Sequence, residues 1–202
     1  MKNNNEIVRR LFKILCSYKP QPEEFYGRLL EVMRGEFFAS RQVLFERGEV
    51  VTDAIFVSDG YVVQLLCDEG RDPLVVNLFG ADSIIAGKSF TEQKPSVEFS
   101  LVALPGAYLM RISAADLMEF YERFESTEEL ARLVMVDVAE KELIRLRQIK
   151  QDSESLVLAF YEEYPTFLKE SMMTDSEVAS YLLISESTLR NVRARLIREG
   201  KL

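Results

Sequence analysis

The middle of the chain constrains the fold most strongly, because between residues 36 and 112 its apolar residues come in seven short runs. Turn-forming residues separate these runs, among them Gly48, Gly60, Gly80 and Gly106. Many short strands at regular intervals are typical of an all-β barrel or jelly-roll. The predicted strands are 43–45, 54–57, 61–66, 74–78, 83–85, 97–103 and 107–112.

Helical patterns lie on both sides of this region, so the predicted fold class is α+β. Apolar residues at helical spacing run from Ile7 to Leu15 and from Phe25 to Met33, and Gly35 is predicted to end the second helix. We therefore expect residues 1–125 to form one domain, in which the N-terminal helices pack on the barrel.

A long helix is predicted from Ser126 to about Lys150, since Ser126 and Glu129 have the spacing of a capping box. The helix is apolar on most sides near its start, so it must be buried against two bodies. We expect one to be the barrel of the same chain and the other to be a symmetry mate in a C2 homodimer. The alternative is a core helix that is buried entirely within its own chain.

The last domain, residues 151–202, ends in two short helical patterns with separate caps. Thr174 and Glu177 form a predicted capping box for the first helix, and Ser185 is the predicted N-cap of the second. A short helix packed across a second helix that exposes Arg and Asn is the arrangement that reads the major groove of DNA. The sequence therefore predicts a DNA-binding helix-turn-helix.

Charge is distributed unevenly between this segment and the rest of the chain. Five cations oppose two acids from residue 186 onward, a local balance of +3, whereas the whole chain carries −8 and residues 1–185 therefore carry −11. Phosphate attraction acts over about 8 Å at physiological salt, so the local balance matters for DNA. The alternative is a basic helix that is merely solvated and complements its own dipole.

Composition excludes several function classes. The chain has no histidine and two cysteines, Cys16 and Cys67, which rules out His-based catalysis, ordinary zinc sites and four-thiolate iron–sulfur sites. We expect no enzyme activity and no cofactor. No apolar run approaches the roughly 20 residues of a membrane span, and the first residues lack the apolar core expected of a signal sequence. We expect a cytoplasmic protein without a membrane partner.

The order of these elements, together with several local motifs, resembles the Crp/Fnr family of bacterial transcription factors. The motifs are LFERGE at 44–49, IFVSDG at 55–60, LAFYEEYP at 158–165 and EVASYLLIS at 177–185. The resemblance implies a homodimer held by residues 126–150, an effector pocket in each barrel and a palindromic operator whose half-sites are about 34 Å apart. It also implies RNA polymerase as a partner.

In the effector pocket that the resemblance implies, this chain lacks the residues with which family members bind cyclic nucleotides. Ile85 and Ala86 stand where those members have a Gly-Glu pair that holds the ribose, and residues 94–99 contain no Arg for the phosphate. A buried phosphate without a cation costs several kcal/mol, so cyclic AMP is not the expected effector. The effector is left open, and the expected pocket residues are Ile84, Ile85, Ala86, Lys88, Ser89, Ser96 and Val97.

The predicted recognition helix also differs from the family pattern. Ser187 and Asn191 occupy the positions where family members have Glu and Arg. Asn pairs with adenine where Arg prefers guanine, so a different operator is expected. Leu183 occupies a turn position where Gly is usual, and residues 200–202 leave no room for a full wing. These departures favour the alternative of a ligand-sensing or protein-interaction module. The candidate DNA-binding residues are Thr174, Ser185, Ser187, Thr188, Arg190, Asn191, Arg193, Arg195 and Lys201, with Arg193, Arg195 and Lys201 expected at phosphates.

Overall fold

The computed structural model describes residues 3–66, 73–86, 88–95, 99–170 and 172–202, with only the backbone described for Lys88 and Ser89. The strands are β1 Arg34–Phe38, β2 Gln42–Phe45, β3 Asp53–Asp59, β4 Val62–Leu66, β5 Leu74–Phe79, β6 Ile84–Ile85, β7 Phe99–Ala103 and β8 Ala107–Ser113. The helices are α1 Asn4–Tyr18, α2 Glu23–Val32, α3 Lys88–Glu92, α4 Ala114–Arg123, α5 Thr127–Gln148, α6 Ser153–Glu163, α7 Thr166–Lys169, α8 Asp175–Tyr181 and α9 Glu186–Arg198.

The strands form two four-stranded antiparallel sheets, in the orders β1-β8-β3-β6 and β2-β7-β4-β5. This confirms the predicted α+β class, with N-terminal helices, a β-barrel or jelly-roll, a long helix and a helical C-terminal region. Strand β1 and helix α3 were not predicted. Gly35 does not end α2; it lies in β1, where a Cβ atom would come within 2.5 Å of the Tyr108 hydroxyl and 2.8 Å of Asn4 Oδ1.

The β2-β7-β4-β5 sheet is buried on both faces, which positions the C-terminal domain. Along β4, Val62 belongs to the core between the sheets and the N-terminal helices, whereas Val63 belongs to a second core. Along β7, Leu101 and Val102 divide in the same way. That second core includes Leu189 and other buried residues of α6, α8 and α9, so the C-terminal helices pack directly on the outer face of the sheet. Because side chains on both faces are buried, the sequences of these strands are continuous apolar runs.

Helix α5 begins where it was predicted, although its cap differs. Ser126 has helical backbone angles and its hydroxyl donates to Gln21 Oε1 at 2.8 Å, so the predicted capping box with Glu129 is wrong. Because the Ser126 hydroxyl bonds to the loop before α2, it does not cap α5. Within the described residues, no helix is both long and apolar enough to cross a membrane.

Candidate nucleic-acid interface

Helices α8 and α9 form a two-helix unit whose ends are fixed by local side-chain chemistry. The Thr174 hydroxyl accepts from the Glu177 N–H at 3.2 Å, and the Glu177 carboxylate accepts from the Thr174 N–H at 2.8 Å, which completes the predicted capping box. The Ser185 hydroxyl accepts from the Thr188 N–H at 3.0 Å and caps α9. Thr174 and Ser185 therefore first serve to define the two helices, because each satisfies a backbone donor that the helix leaves unpaired.

Both helices end in the same hydrogen-bonded motif but with different residues at the critical position. After α8, the Ile184 N–H donates to Ala179 O and the Leu183 N–H to Ser180 O; Leu183 has φ +54°. After α9, the Lys201 N–H donates to Leu196 O and the Gly200 N–H to Ile197 O; Gly200 has φ +66°. These are two Schellman motifs, and only Gly adopts the left-handed conformation without a Cβ clash. The turn between α8 and α9 is therefore strained at Leu183.

Replacing Leu183 with glycine should stabilise the protein by about 1 kcal/mol, because it removes the cost of the left-handed backbone. Little packing is lost, since the Leu183 side chain is 66% exposed. The free energy of unfolding from urea denaturation measures the effect. Leu183→Ala is the control, because it shortens the side chain and keeps the Cβ atom. An equal gain from both substitutions would show that the turn is not strained.

The outward face of α9 carries the predicted base-reading residues. Leu189, Val192 and Leu196 are buried on the inner side of the helix, whereas Ser187 and Asn191 are exposed on the opposite side. At 3.6 residues per turn, Ala194 and Arg198 continue the same outward face, and both are exposed. Arg198 was missing from the sequence-predicted site, although its spacing of seven from Asn191 was available as a signal.

Three of the predicted cations are held by acids at the surface. Arg190 lies 3.0 Å from Asp175 and also pairs with Glu186, while Arg195 and Lys201 lie 2.6 and 2.9 Å from Glu154. Glu186 and Glu154 are 40% and 34% exposed, and pairs at such exposure contribute about 0–1 kcal/mol, so they exchange readily for other anions. For Arg198 no ion pair is found in the part of the chain that the structure describes.

Arg193 is placed differently, since it lies on the inner side of α9 and is only partly exposed. Its Nη1 and Nη2 donate to Asp175 Oδ1 and Oδ2 at 2.6 and 2.9 Å, and Nη1 also donates to the Tyr161 hydroxyl at 3.0 Å. The Arg193 guanidinium, with Arg190 nearby, lowers the pKa of the Asp175 carboxyl below its usual value against the opposing effect of burial. The side chain thus joins α6, α8 and α9, which argues against the phosphate contact expected for it.

The two-helix unit is fastened to the barrel through α8. The Arg41 guanidinium, beside β2, donates to both Glu177 carboxylate oxygens, at 3.2 and 2.5 Å. The Val75 N–H of the edge strand β5 donates to Ser180 Oγ at 3.0 Å. Beside the unit, the Tyr61 ring packs on Phe167 of α7, with centroids 4.8 Å apart. The barrel contacts of the unit are made by Glu177 and Ser180 of α8, whereas Ser187 and Asn191 of α9 stay exposed to solvent.

No protein-family model and no curated protein sequence matches the chain. Among solved structures, a Crp/Fnr-family transcriptional regulator from Eubacterium rectale superposes with a TM-score of 0.66 at 13% identity, over 91% of this chain and 89% of that one. The chain has the Crp/Fnr fold. FixK2 from Bradyrhizobium japonicum gives 0.65 at 12% identity, over 84% and 86% of the two chains. The c-di-GMP-responsive regulator CLP from Xanthomonas campestris gives 0.64 at 15% identity, over 89% and 93%.

Within this Crp/Fnr fold, part of the expected effector pocket can be placed. Ile84 and Ile85 form β6, which pairs with Phe56 and Ile55 of β3, and Ala86 follows at its end. Ile85 is buried, and its side chain offers no hydrogen-bonding group for a ribose. The side chains of Lys88 and Ser89, and all of Ser96 and Val97, lie outside the described residues. Their assignment to the pocket stays a prediction.

Proposed function

We propose that the protein is a homodimeric, sequence-specific DNA-binding transcription regulator of the Crp/Fnr type that acts in the cytoplasm without enzymatic activity. The observation that carries this proposal is the solvent-open face of α9, with Ser187, Asn191 and Arg198 aligned on a doubly capped two-helix unit. RNA polymerase is a further proposed partner, on the strength of the fold resemblance alone.

The side chains on the exposed face of α9 are suited to reading bases near the start of the helix and to binding phosphates near its end. Asn191 can donate to N7 and accept from N6 of adenine, while Ser187 and Arg190 reach neighbouring positions. Arg195, Arg198 and Lys201 are suited to phosphate contacts, because exposed cations near the groove edge neutralise the backbone. The ion pairs that Arg195 and Lys201 make with Glu154 are at the surface, so exchanging the carboxylate for a phosphate costs little.

Dimerisation is supported by the apolar residues that α5 leaves exposed. Twelve large apolar side chains in the described part of the chain are exposed, and five of them lie on α5 between positions 135 and 146. Val136, Ala139, Leu143 and Leu146 are all exposed and recur at spacings of three and four, which is the a/d pattern of a coiled-coil seam. We call these four residues the α5 seam. It is suited to a second copy of the same helix.

The side of α5 opposite the α5 seam already packs against other residues of its own chain. These contacts do not cover the seam. Leu130 and Val134 are buried against the barrel side, and the Arg145 guanidinium donates to Tyr181 O at 3.1 Å and lies 4.5 Å from the Tyr181 ring centroid. The helix therefore has one face packed in its own chain and one apolar face left over. Because Arg145 contacts α8, α5 joins the proposed dimer axis to the DNA-binding unit.

The test is selection of binding sites from random duplex oligonucleotides at two salt concentrations. We expect one enriched palindrome with half-sites about 34 Å apart. Asn191→Ala should relax the preference at one base-pair position in each half-site, with a loss there of about 1–3 kcal/mol. Arg195→Ala should instead weaken binding evenly across sequences and reduce the salt slope by about one per subunit. Salt-insensitive binding, or no enrichment, would contradict the proposal.

A second function, a ligand-sensing or protein-interaction module that does not bind DNA, is favoured by two observations. The C-terminal helices share a core with the outer face of the barrel, and their turn is strained at Leu183. In such a module α8 and α9 would be a packing layer. Asn191→Ala and Arg195→Ala would then have no effect on any partner, so the same selection separates the two functions.

A further inference from the structure

An apolar cavity of about 160 Å³ lies where α1, α2, α4 and α5 meet strand β3 of the barrel. Leu11, Phe25 and Leu29 form its wall on the N-terminal helices, and Leu130, Ala131 and Val134 form its wall on α5. Ile84 and Ala86, two residues of the expected effector pocket, also reach it. The cavity meets the surface beside Tyr121 and Met135, both partly exposed, so a small molecule has a route in.

The lining defines the chemical class of the ligand. No charged side chain is among the described residues that line the cavity. The Thr127 hydroxyl is buried there, but its hydrogen is already donated to Phe120 O at 2.9 Å, so it has no donor left for an anion. An anion or a strongly hydrated molecule would lose its water without replacement bonds, which costs several kcal/mol. The lining therefore favours an uncharged apolar molecule and disfavours a nucleotide.

The volume defines the size of the ligand. A cavity of about 150 Å³ lined by Leu, Ile and Phe stays free of water and takes up benzene, as known from engineered proteins. The cavity here has a comparable volume and the same kinds of side chain. Filling it restores dispersion contacts that the surrounding side chains lack, and apolar surface leaves water at the same time.

We propose that this cavity is a binding site for a small uncharged apolar molecule of about the size of one aromatic ring. Three of its lining residues, Leu130, Ala131 and Val134, lie on the first two turns of α5, the helix that also carries the α5 seam and contacts α8 through Arg145. Occupancy would therefore be sensed by the helix that joins the dimer to the DNA-binding unit. This regulatory consequence rests on the proposed function, whereas the binding site itself does not.

Toluene is the probe, and binding to the full-length protein is measured by ligand-observed NMR and by the shift of the thermal unfolding midpoint. We expect saturable binding to the wild type and none of cyclic AMP at the same concentration. Ala131→Leu, which fills the cavity from α5, should weaken toluene binding by at least about tenfold. Ala115→Leu is the matched control, since it makes the same exchange at an exposed position of α4 that does not line the cavity, and should leave the affinity within about twofold.

Leu117→Phe fills the same cavity from α4 and provides an independent variant if Ala131→Leu does not fold. Equal toluene binding by the wild type and both cavity-filling variants, or no saturable binding to the wild type, would overturn the proposal. DNA selection on the protein without toluene is unaffected by either result. Failure of the ligand site can therefore be told apart from failure of the proposed function.

Discussion

Replacing Leu143 with aspartate should convert the protein from a dimer into a monomer. Leu143 is at the centre of the α5 seam and is 59% exposed in the isolated chain, so the substitution leaves the fold of each subunit intact. In the proposed dimer it would bury two carboxylates, which costs at least about 3 kcal/mol and raises the dissociation constant by at least about 100-fold. Sedimentation-velocity ultracentrifugation at micromolar protein concentration measures the change directly.

Ile144→Asp provides the matched control, because Ile144 is on the same helix, has nearly the same exposure and lies off the seam. We expect that variant to remain dimeric. Loss of the palindromic operator preference should accompany the Leu143 substitution alone, because two reading helices are needed to recognise two half-sites. A wild-type protein that is monomeric at these concentrations, or a dimer that tolerates Leu143→Asp, would exclude the α5 seam as the interface.

The caps of α8 and α9 could be predicted because they depend on residues three positions apart in the chain. Thr174, Glu177 and Ser185 form the same hydrogen bonds in almost any helix that starts at those positions. The strands could be predicted for a similar reason, since turn residues mark their ends. Even the strain at Leu183 was foreseeable, because a position that requires positive φ favours glycine whatever the tertiary structure.

Features that depend on distant residues could not be predicted in this way. Gly35 is a common helix stop, but it pairs with Met110 of β8, and the approach of Tyr108 and Asn4 leaves no room for a side chain there. Ser126 has the spacing of a capping residue, but its hydroxyl contacts Gln21, 105 positions away. The cavity beside α5 combines residues from five helices and three strands, so no local pattern reveals it.

In the candidate site, the role of Arg193 also depends on residues that are distant in the sequence. A basic residue on a predicted recognition helix fits a phosphate contact. The spacing of four from Leu189 and three from Leu196 places Arg193 beside the apolar face of the helix, unlike Arg195, but spacing alone does not show which partner it meets there. The difference is the position of Asp175 on α8 and of Tyr161 on α6, which together hold the Arg193 guanidinium. Helix packing, which sets these positions, therefore decides which cations remain available to DNA.

Replacing Arg193 with alanine should lower the free energy of unfolding of the C-terminal domain by about 2 kcal/mol, because hydrogen bonds to a partly buried charged group are lost. Both partners are about three-quarters buried, with exposed side-chain fractions of 26% and 25% for Arg193 and Asp175. Arg195→Ala is the control, since its ion pair with Glu154 is more exposed and should change the stability by less than about 1 kcal/mol. Urea denaturation followed by circular dichroism measures both variants.

The loss caused by Arg193→Ala should depend on pH in a defined direction. The pKa of Asp175 is lowered in the folded protein, so the stability it contributes is present above the unfolded pKa, about 4, and is lost as the pH falls through the lower folded value. The difference between wild type and Arg193→Ala should therefore be full at pH 6 and shrink below pH 4. The pKa values of Asp137, Asp152 and Glu199 are also lowered, but Arg193 is not a cause of these shifts. The substitution therefore leaves them in place, and the difference between the two proteins reports on Asp175. A pH-independent difference would mean that Arg193 stabilises the domain through its hydrogen bond to Tyr161 or the packing of its aliphatic stem, and not through Asp175.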